Sequence, residues 1–359
     1  MRKGWEYKKL GEVCEVVTGT TPKTNIPEYW GKGHYWVTPA ELNDTTVYID
    51  KTERQITDEA LSKTKLRLLP VGTVLLSSRA PIGKVAIANA EMYCNQGFKN
   101  CICSEAIYNK YLFYFLRLKK DYLNSLGRGA TFKEISKSIV ESIKIPLPPK
   151  STQLAIVSEL DKINELIRLK KEQLKDFDNL AQSLFYEMFG DPVENEKGWE
   201  VKKLGEICEI FAGGDKPKDM CEIQNNEYIY PVIANGEGEK GILGYTKNCR
   251  VTKEAVTIGA RGASIGNCRI VKNGFTPAIR LLTLIPTGSI DCCFLYYFVK
   301  DLNYKQNGAG QAQLTVPNIK CEFIPLPPLS LQRLFAQRIE QIEREKSEVQ
   351  KSIQDLETL

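Results

Sequence analysis

The sequence is nearly devoid of histidine and has no cysteine pair at the spacing of a zinc site. His34 is the single histidine among 359 residues, which excludes paired-histidine zinc hydrolases and HNH-type nuclease sites within one chain. The 11 cysteines show no C-x-x-C spacing, and the closest groups, at 101 and 103 and at 292 and 293, do not fit a tetrahedral zinc finger. The odd number of cysteines is typical of reduced, mostly buried thiols.

Membrane segments and nucleotide-binding motifs are missing too. No run approaches the roughly 18–20 apolar residues that cross a bilayer, and no apolar stretch follows the basic N-terminal residues as in a signal peptide. There is no G-x-x-x-x-G-K-[ST] loop, no glycine-rich dinucleotide fingerprint, no N-P-P-Y or D-P-P-Y tetrapeptide and no P-D…E-x-K nuclease core. We therefore expect a cytoplasmic protein that has no membrane partner, metal site, bound cofactor or catalytic residues of its own.

A tandem duplication is the strongest signal in the sequence. Residues 4–14 read GWEYKKLGEVC and residues 198–208 read GWEVKKLGEIC, while IPLPP occurs at 145–149 and again at 324–328. Between these markers the two copies match poorly, although Arg79 and Arg261 each precede an Ile-Gly pair. The repeat is far too long for a solenoid, so it predicts two copies of a whole domain that share a scaffold and differ in surface.

A long helix is predicted after each IPLPP segment. The prolines are expected to end any strand or helix, Ser151 or Thr152 to cap the first helix, and Gly190-Asp191-Pro192 to end it. Apolar residues then follow a heptad pattern that predicts pairing of the two helices, with rods of about 60 Å for some 40 residues. The predicted pairing residues are Ile156, Leu160, Ile163, Ile167, Leu174, Phe177, Phe335, Ile339, Ile342, Val349, Ile353 and Leu356.

One lysine interrupts each heptad seam, Lys170 in the first helix and Lys346 in the second. A polar residue in a helix seam lowers stability but specifies the partner, so the two lysines are candidates for selecting one helix by the other. In the alternative interpretation, both side chains simply extend to solvent.

The predicted fold class is α+β, with two tandem globular domains separated by long helices that pair as an antiparallel coiled coil. Strands are expected over 73–76 and 85–88 and an amphipathic helix over 110–120. The predicted boundaries are 1–150 and 193–329 for the globular domains and 151–192 and 330–359 for the helices. The second helix lacks a counterpart of LAQSLFYEMFGDP, and a natural end, an engineered end and a truncated allele all remain open.

Positive charge is concentrated in the globular parts. Residues 1–150 carry a net charge of +8 and residues 198–329 of +2, whereas the helical segments 151–197 and 330–359 carry −4 and −1. Basic globular surfaces are what contact with a phosphate backbone requires. Ordinary solvated surface is the competing interpretation.

Arginine, lysine and amide side chains beside flexible glycines are the candidate DNA contacts. Arginine, asparagine and glutamine read base edges through paired hydrogen bonds, and glycine permits close approach of the backbone to phosphate. The positions of Arg79 and Arg261 in the two copies make them the strongest candidates. The full set is Thr20, Thr21, Lys23, Arg79, Lys84, Asn95, Gln96, Lys99, Arg128, Thr131, Lys133, Lys216, Lys218, Asn235, Arg261, Ser264, Arg280, Gln311 and Gln313.

The whole set of motifs resembles the specificity subunit of type I restriction-modification systems. The resemblance rests on GW-x-x-KKLGE in both copies, YWGKGHYWVTPAEL (29–42), ITDEALSKTKLRLLPVGTVLLSSRAPIGKVAI (56–87), YPVIANGEGEKGILGY (230–245), IGARGASIG (258–266), the doubled IPLPP-helix and QSLFYEMFGDP (182–192). It implies two target-recognition domains that each read half of a split, asymmetric DNA sequence. It also implies a pair of antiparallel helices that set the spacing between the halves.

The same resemblance implies the partners. The helices are expected to dock two methyltransferase subunits, which bind S-adenosylmethionine and methylate an adenine flipped out of double-stranded DNA. Restriction subunits that use ATP and magnesium are expected to join the complex, so no cofactor is expected on this chain. The short second helix departs from the family and puts full docking of the second methyltransferase subunit in doubt.

Three other interpretations stay open at this point. One is a catalytic subunit with an unrecognised active site, which predicts activity from the chain alone. Another is a helical scaffold that binds only protein, which predicts no salt-dependent affinity for DNA. The third is a truncated or scaffolding form that needs a second chain to complete its helix bundle.

Overall fold

The computed structural model describes residues 5–129, 133–236, 238–302 and 313–358, without the side chain of residue 239. Its contacts separate two compact units, residues 1–166 and 167–359. This division falls inside the first long helix, and the domain boundaries drawn from the sequence stay predictions. No helix in the described part of the chain has the length and apolar character needed to cross a membrane.

Unit 1 contains short strands, short helices and the start of the first long helix. Its elements are β1 Glu6–Lys9, α1 Leu10–Val13, β2 Cys14–Thr18, β3 Trp30–Val37, β4 Tyr48–Ile49, β5 Gln55–Ile56, α2 Asp58–Lys63, β6 Val74–Leu76, β7 Val85–Ala88, β8 Tyr93–Cys94, β9 Lys99–Cys103, α3 Asn109–Leu118, α4 Lys120–Ser125, α5 Lys137–Ser142, β10 Lys144–Leu147 and α6 Lys150–Phe189. The strands predicted over 73–76 and 85–88 and the helix predicted over 110–120 are confirmed as β6, β7 and α3.

Among the described residues, unit 2 repeats this order with fewer elements. They are β11 Glu200–Lys203, α7 Leu204–Ile207, β12 Cys208–Ala212, β13 Tyr230–Ile233, β14 Ile242–Thr246, β15 Ala255–Ile258, β16 Cys268–Val271, β17 Thr276–Pro277, β18 Leu282–Pro286, α8 Cys292–Asp301, α9 Val316–Lys320, β19 Phe323–Leu326 and α10 Leu329–Glu357. The mixture of helices and strands in both units confirms the α+β class.

The two repeated sequence markers are strand partners. β1 pairs antiparallel with β10, with Lys8 opposite Ile145, and β11 pairs in the same way with β19, with Lys202 opposite Ile324. The expectation that IPLPP cannot extend a strand is therefore wrong for its first three residues. A two-stranded ribbon is all edge, and proline is tolerated in edge strands.

In the part of the chain that the structure describes, each unit has two further sheets. In unit 1 the strand orders are β2-β9-β6-β7-β4 and β5-β3-β8, and in unit 2 they are β12-β18-β15-β16 and β14-β13-β17. Helix α3 contacts β6 and β7, and α8 contacts their counterparts β15 and β16 as well as β18. The core includes Leu10 and Leu204, the fully buried leucines of the repeated KKLGE motif.

Each long helix begins directly after a proline, so the predicted cap at Ser151 or Thr152 is wrong. Helix α6 begins at Lys150, and the backbone N–H groups of Thr152 and Gln153 donate to the Pro149 carbonyl. The fixed φ of proline at the preceding residue already directs the chain into the first turn. The first helix ends at Phe189, as the Gly190-Asp191-Pro192 signal predicts.

Within unit 2, the C-terminal half of α6 runs antiparallel to α10. The rings of Phe185 and Phe335 lie 5.7 Å apart between centroids. Farther along, Lys346 Nζ donates to Asp178 Oδ1 at 2.8 Å, and Lys171 Nζ pairs with Glu357 at the same distance. The seam lysine of α10 thus contacts a carboxylate of the other helix, which supports the partner-selection hypothesis for Lys346.

Candidate DNA interface

Five loops of unit 1 meet at one edge of its sheets and are called its edge loops. The Thr20 N–H donates to the Cys94 carbonyl, the Ser78 N–H to the Gly97 carbonyl and the Ile135 N–H to the Ser78 carbonyl. These bonds connect loops that lie far apart in the sequence into one surface. The edge loops of unit 1 are residues 19–23, 38–41, 77–84, 95–98 and 128–135, apart from 130–132.

Close backbone contacts explain why small residues and turns lie here. A Cβ atom at Gly19 would lie 1.9 Å from the Asn95 carbonyl oxygen, so only glycine allows these two loops to touch. Ala80 has a left-handed φ of 44°, which is uncommon for a residue with a side chain. It directly follows Arg79 and turns the chain sharply at that arginine.

The predicted DNA contacts of unit 1 lie in these edge loops, but they differ in burial and in hydrogen-bond partners. Arg79 is half-buried beside Gly97, Thr21 Oγ1 contacts Gln96 Oε1, and the Asn95 side chain accepts from the Gly97 N–H at 2.9 Å. Lys84 is half-buried and donates to the Pro39 carbonyl at 3.0 Å. Exposed at the same edge are Thr20, Lys23, Gln96, Arg128 and Lys133.

Lys99 is a correction to the predicted set. Its side chain is only 7% exposed and pairs with Glu134 Oε1 at 2.9 Å and with Ser78 Oγ at 3.3 Å. A buried, paired ammonium group is not available to a phosphate or a base. Lys99 instead fixes the loop that contains Glu134, whose backbone exchanges hydrogen bonds of 3.0 and 2.9 Å with Arg128.

Unit 2 presents an equivalent set of edge loops. The Ile279 N–H donates to the Gly214 carbonyl, the Arg280 N–H to Gly213 and the Leu314 N–H to Ala260. The Asn235 side chain bridges two of these loops, since its Nδ2 donates to the Ile279 carbonyl and its Oδ1 accepts from the Ala260 N–H, both at 2.7 Å. The edge loops of unit 2 are residues 213–218, 234–241, 259–266, 278–281 and 313–315, apart from 237.

An open cleft of unit 2 gathers several predicted contacts. Lys216, Arg261 and Arg280 line it together with Gly213 and Gly214. Arg280 lies in the left-handed region with a φ of 58°, and so does the preceding Ile279 with a φ of 49°. For a β-branched residue this conformation is strained, and such strain concentrates at functional sites.

The remaining unit 2 candidates surround the same cleft. Gln313 Oε1 accepts from Arg261 Nη2 at 3.2 Å, and Lys218 is exposed on the loop that carries Lys216. Ser264 lies in the turn after Arg261, where its carbonyl oxygen would be 2.0 Å from a Cβ at Gly259. Asn235 is used to join loops, so its amide is already occupied within the protein.

Arg79 and Arg261 occupy the same structural position. Each follows a central strand and forms an isolated antiparallel bridge, Arg79 with Glu134 and Arg261 with Gln313. Each also precedes a residue with positive φ, Ala80 in unit 1 and Gly262 at 60° in unit 2. Within the described part of the chain, neither arginine has a carboxylate at ion-pair distance. The geometry thus presents one uncompensated guanidinium at the same place on each edge.

A stacked arginine beside these loops was not predicted from the sequence. The guanidinium carbon of Arg54 lies 3.8 Å from the ring centroid of Trp30, and Trp30 packs edge-on against Trp36 at 4.8 Å. The indole N–H groups of Trp30 and Trp36 donate to the carbonyls of Lys23 and Thr20, so this stack supports an edge loop. An aromatic face holds the planar guanidinium in one orientation and leaves its N–H edge available. Trp30 and Arg54 are far apart in the sequence and share no periodic pattern, so the sequence does not predict that they are in contact.

Two predicted residues, Thr131 and Gln311, lie outside the described residues. No group of three or more histidine, cysteine or acidic side chains in the described ranges has the geometry of a metal site. Burial raises the pKa of Cys94 and of Cys208 to about 12, so these thiols stay protonated and behave as core residues. The described edge loops offer hydrogen-bond donors and positive charge.

Residues 2–176 and 196–358 each match the family model described as the type I restriction modification DNA specificity domain. The type I restriction enzyme MjaIX specificity subunit of Methanocaldococcus jannaschii is 32% identical over 371 aligned positions, which cover 93% of this chain and 85% of the relative. The EcoprrI specificity subunit of Escherichia coli is 26% identical, with 88% of this chain and 82% of the relative covered.

Solved structures give the same fold. A chain from a structure of the assembly and conformational transition of a type I R-M system superimposes with a TM-score of 0.70 at 22% identity, over 100% of this chain and 96% of the other. The S subunit of a type I restriction-modification system from M. genitalium gives a TM-score of 0.55 at 18% identity, over 98% and 94% of the two chains.

Proposed function

Because this chain belongs to the family of type I restriction-modification specificity subunits, whose tandem domains recognise DNA sequence, we propose that the edge loops of its two units read the two halves of a split, asymmetric target. The observation that carries the proposal is the matched placement of Arg79 and Arg261. A planar guanidinium with no carboxylate at ion-pair distance among the described residues is suited to bidentate contact with guanine or phosphate.

The two edges differ in the groups around this shared arginine, which supports different half-sites. In unit 1 the Asn95 and Gln96 loop lies beside Arg79, and the Trp30–Arg54 stack supports another loop of the same edge. In unit 2 the neighbouring residues are Lys216 and Arg280. Lysine and arginine on phosphates would fix the register on the duplex, while loop side chains would contact base edges.

The long helices are proposed to set the distance between the half-sites and to dock methyltransferase subunits. Several leucines on the outer faces of the helices are exposed, namely Leu154, Leu166, Leu169, Leu180 and Leu334. Exposed apolar side chains on a helix are suited to a further helical partner. S-adenosylmethionine would be held by those methyltransferase subunits, and ATP and magnesium by restriction subunits, and catalysis would lie in these partners.

Methylation mapping tests the proposal. The chain is expressed with its cognate methyltransferase subunit, and modified adenines are mapped for the wild type, Arg79→Ala and Arg261→Ala. We expect a split motif with a fixed gap, and each variant should relax one half only, at a cost of about 1–3 kcal/mol per lost bidentate contact.

Two lysines at the ends of the same sheets that lie away from the edge loops serve as controls for the loss of a positive charge. Lys51 follows β4, which runs parallel to β7, and Lys253 precedes β15. Both are exposed, and Lys51→Ala and Lys253→Ala should leave both halves of the motif intact. Loss of both halves in either arginine variant would contradict separate reading by the two units.

A further inference from the structure

A carboxylate on the first long helix, α6, accepts hydrogen bonds from two side chains of α3 in unit 1. Asp161 of α6 accepts from Lys110 Nζ through Oδ2 at 2.7 Å and from the Tyr114 hydroxyl through Oδ1 at 2.6 Å. The two donors are four residues apart on α3, one helical turn. A single carboxylate that spans one turn of a neighbouring helix restrains sliding as well as rotation.

The surroundings of Asp161 strengthen these bonds. The Lys110 side chain is 16% exposed and Asp161 is 38% exposed, so both hydrogen bonds are partly shielded from water. Burial lowers the pKa of Lys110, but the hydrogen bonds and electrostatic interactions with Asp161 and Tyr48 together outweigh burial, so the net pKa is raised. Burial and then the Asp161 carboxylate raise the pKa of Tyr114, so both donors keep their protons.

A second anchor lies two turns earlier on the same helix. Gln153 is fully buried, its Oε1 accepts from the Tyr108 N–H at 2.8 Å, and its Nε2 donates to the carbonyls of Ala106 and Pro148. With Gln153 as the single anchor, α6 could rotate about that point relative to the rest of unit 1. Asp161 adds a second point about 12 Å along the helix and thereby prevents this rotation.

Unit 2 contacts the C-terminal part of α6 through a similar pair of hydrogen bonds. Here the donors lie on α6, and the acceptor lies on the neighbouring helix α8. Asp301, the last residue of α8, accepts from the Tyr186 hydroxyl at 2.9 Å and from Gln182 Nε2. These donors of α6 are again four residues apart. By contrast Glu340, which has the place of Asp161 in the second helical repeat, pairs with Arg344 of its own helix.

We propose that Asp161 and Asp301 are positioning residues that fix the orientation of each recognition unit on the first long helix, and through it the number of base pairs between the two halves of the target. This inference rests on the proposed function. The length of α6 sets the distance between the half-sites. The two carboxylates fix the orientation of each unit on α6, which a constant gap also requires.

The test measures the gap rather than the half-sequences. Complexes of the methyltransferase subunit with the wild type, Asp161→Ala or Asp301→Ala methylate a library of duplexes that carry both halves separated by every gap near the wild-type length. We expect both halves to be required as before, while methylation at gaps one base pair longer or shorter rises about tenfold relative to the wild-type gap, the factor that ~1.4 kcal/mol gives.

Milder variants and a matched control keep the test decisive if an alanine variant folds poorly. Tyr114→Phe and Tyr186→Phe remove only the hydroxyl groups, and they should relax the gap in the same direction. Glu159→Ala is the control, because Glu159 lies on the same helix and pairs only with the exposed Lys162 among the described residues.

The outcomes separate this inference from the proposed function. An unchanged gap preference in folded Asp161→Ala and Asp301→Ala complexes, or equal relaxation in Glu159→Ala, overturns the positioning role. A wild-type chain that gives no split motif overturns the proposed function itself. Melting of each complex followed by circular dichroism establishes which variants are folded.

Discussion

Replacement of Phe335 by alanine should destabilise unit 2 selectively. Phe335 is fully buried in α10 and contacts Phe185 and Phe189 of α6 and Tyr297 of α8, with ring centroids 5.7, 5.2 and 5.2 Å apart. The two long helices and α8 therefore meet on one side chain. Its loss affects all three packing surfaces together.

The magnitude follows from burial and ring contacts. Truncation of a buried phenylalanine to alanine costs about 3–5 kcal/mol, and the upper end is expected here because three edge-on aromatic contacts disappear with the ring. With a urea m-value of roughly 2 kcal/mol/M, a loss of ~4 kcal/mol lowers the midpoint of unit 2 by about 2 M. This loss is a large part of the roughly 5–15 kcal/mol that stabilises a domain.

Tryptophan provides a local reporter for the assay. Trp199 Nε1 donates to the Phe189 carbonyl at 2.9 Å, so its environment changes when the aromatic cluster opens. Trp5, Trp30 and Trp36 lie in unit 1. With fluorotryptophan incorporated, the resonance of Trp199 should shift at lower urea in Phe335→Ala, while the three resonances of unit 1 keep their wild-type midpoints.

A neighbouring leucine supplies the control. Leu334 is 42% exposed, and Leu334→Ala should change the midpoint of unit 2 only slightly, because an exposed side chain loses little burial. Equal shifts for Leu334→Ala and Phe335→Ala would refute the packing argument. A shift of the unit 1 resonances by the same amount would show that the two units unfold together.

Three further predictions concern pairing, DNA contact and pH. In a double-mutant cycle, Lys346→Met and Asp178→Asn should show a coupling of roughly 0.2–1 kcal/mol in the free energy of unfolding, small because both groups are partly exposed; zero coupling removes the pairing role. For the complex, Arg54→Ala should weaken binding of the target duplex in fluorescence anisotropy by about 1–3 kcal/mol, and Arg54→Lys should restore little, since lysine lacks the planar fork; wild-type affinity in both variants contradicts a DNA contact. Because burial raises the pKa of the Cys94 and Cys208 thiols from 9.0 to about 12, the folded state binds more protons than the unfolded state above pH 9.0. The free energy of unfolding should therefore fall between pH 9 and 12, and Cys94→Ala/Cys208→Ala should show a shallower fall in urea titrations; an equal fall in both proteins would assign it to other groups.

The long helices were predictable from the sequence because their signal is local and repeated many times. The heptad positions after each IPLPP segment require only a count along the chain, and the helix end at Gly190 has strong local chemistry. The cap was mispredicted for the opposite reason. Pro149 and Pro328 take the place of a capping side chain, and the serine two residues after each proline resembles a cap in the sequence.

The edge surfaces were only partly predictable, since their contacts join loops that lie far apart. Lys84 and Lys99 look equally available in the sequence, yet Lys99 becomes buried against Glu134, a residue 35 positions later. Arg54 was missed because its partner, Trp30, lies 24 positions earlier, at the start of β3. Arg79 and Arg261 were identified because the duplication itself supplied a comparison within one chain.

Under the proposed function, the distribution of backbone strain explains how one scaffold carries two specificities. The strands that join the repeat markers pair in the same register in both units, and the arginine loops turn through a positive φ in both. The loop at 278–281 places Ile279 and Arg280 in the left-handed region, whereas among residues 95–98 of the equivalent loop in unit 1 no positive φ occurs. A left-handed residue with a side chain costs roughly 1–2 kcal/mol, which the scaffold offsets through the Asn235 bridge and the hydrogen bonds to Gly213 and Gly214. Strain confined to a loop leaves the strands beneath it unaltered, so the reading surface of one unit can change without a change in the fold or in the other unit.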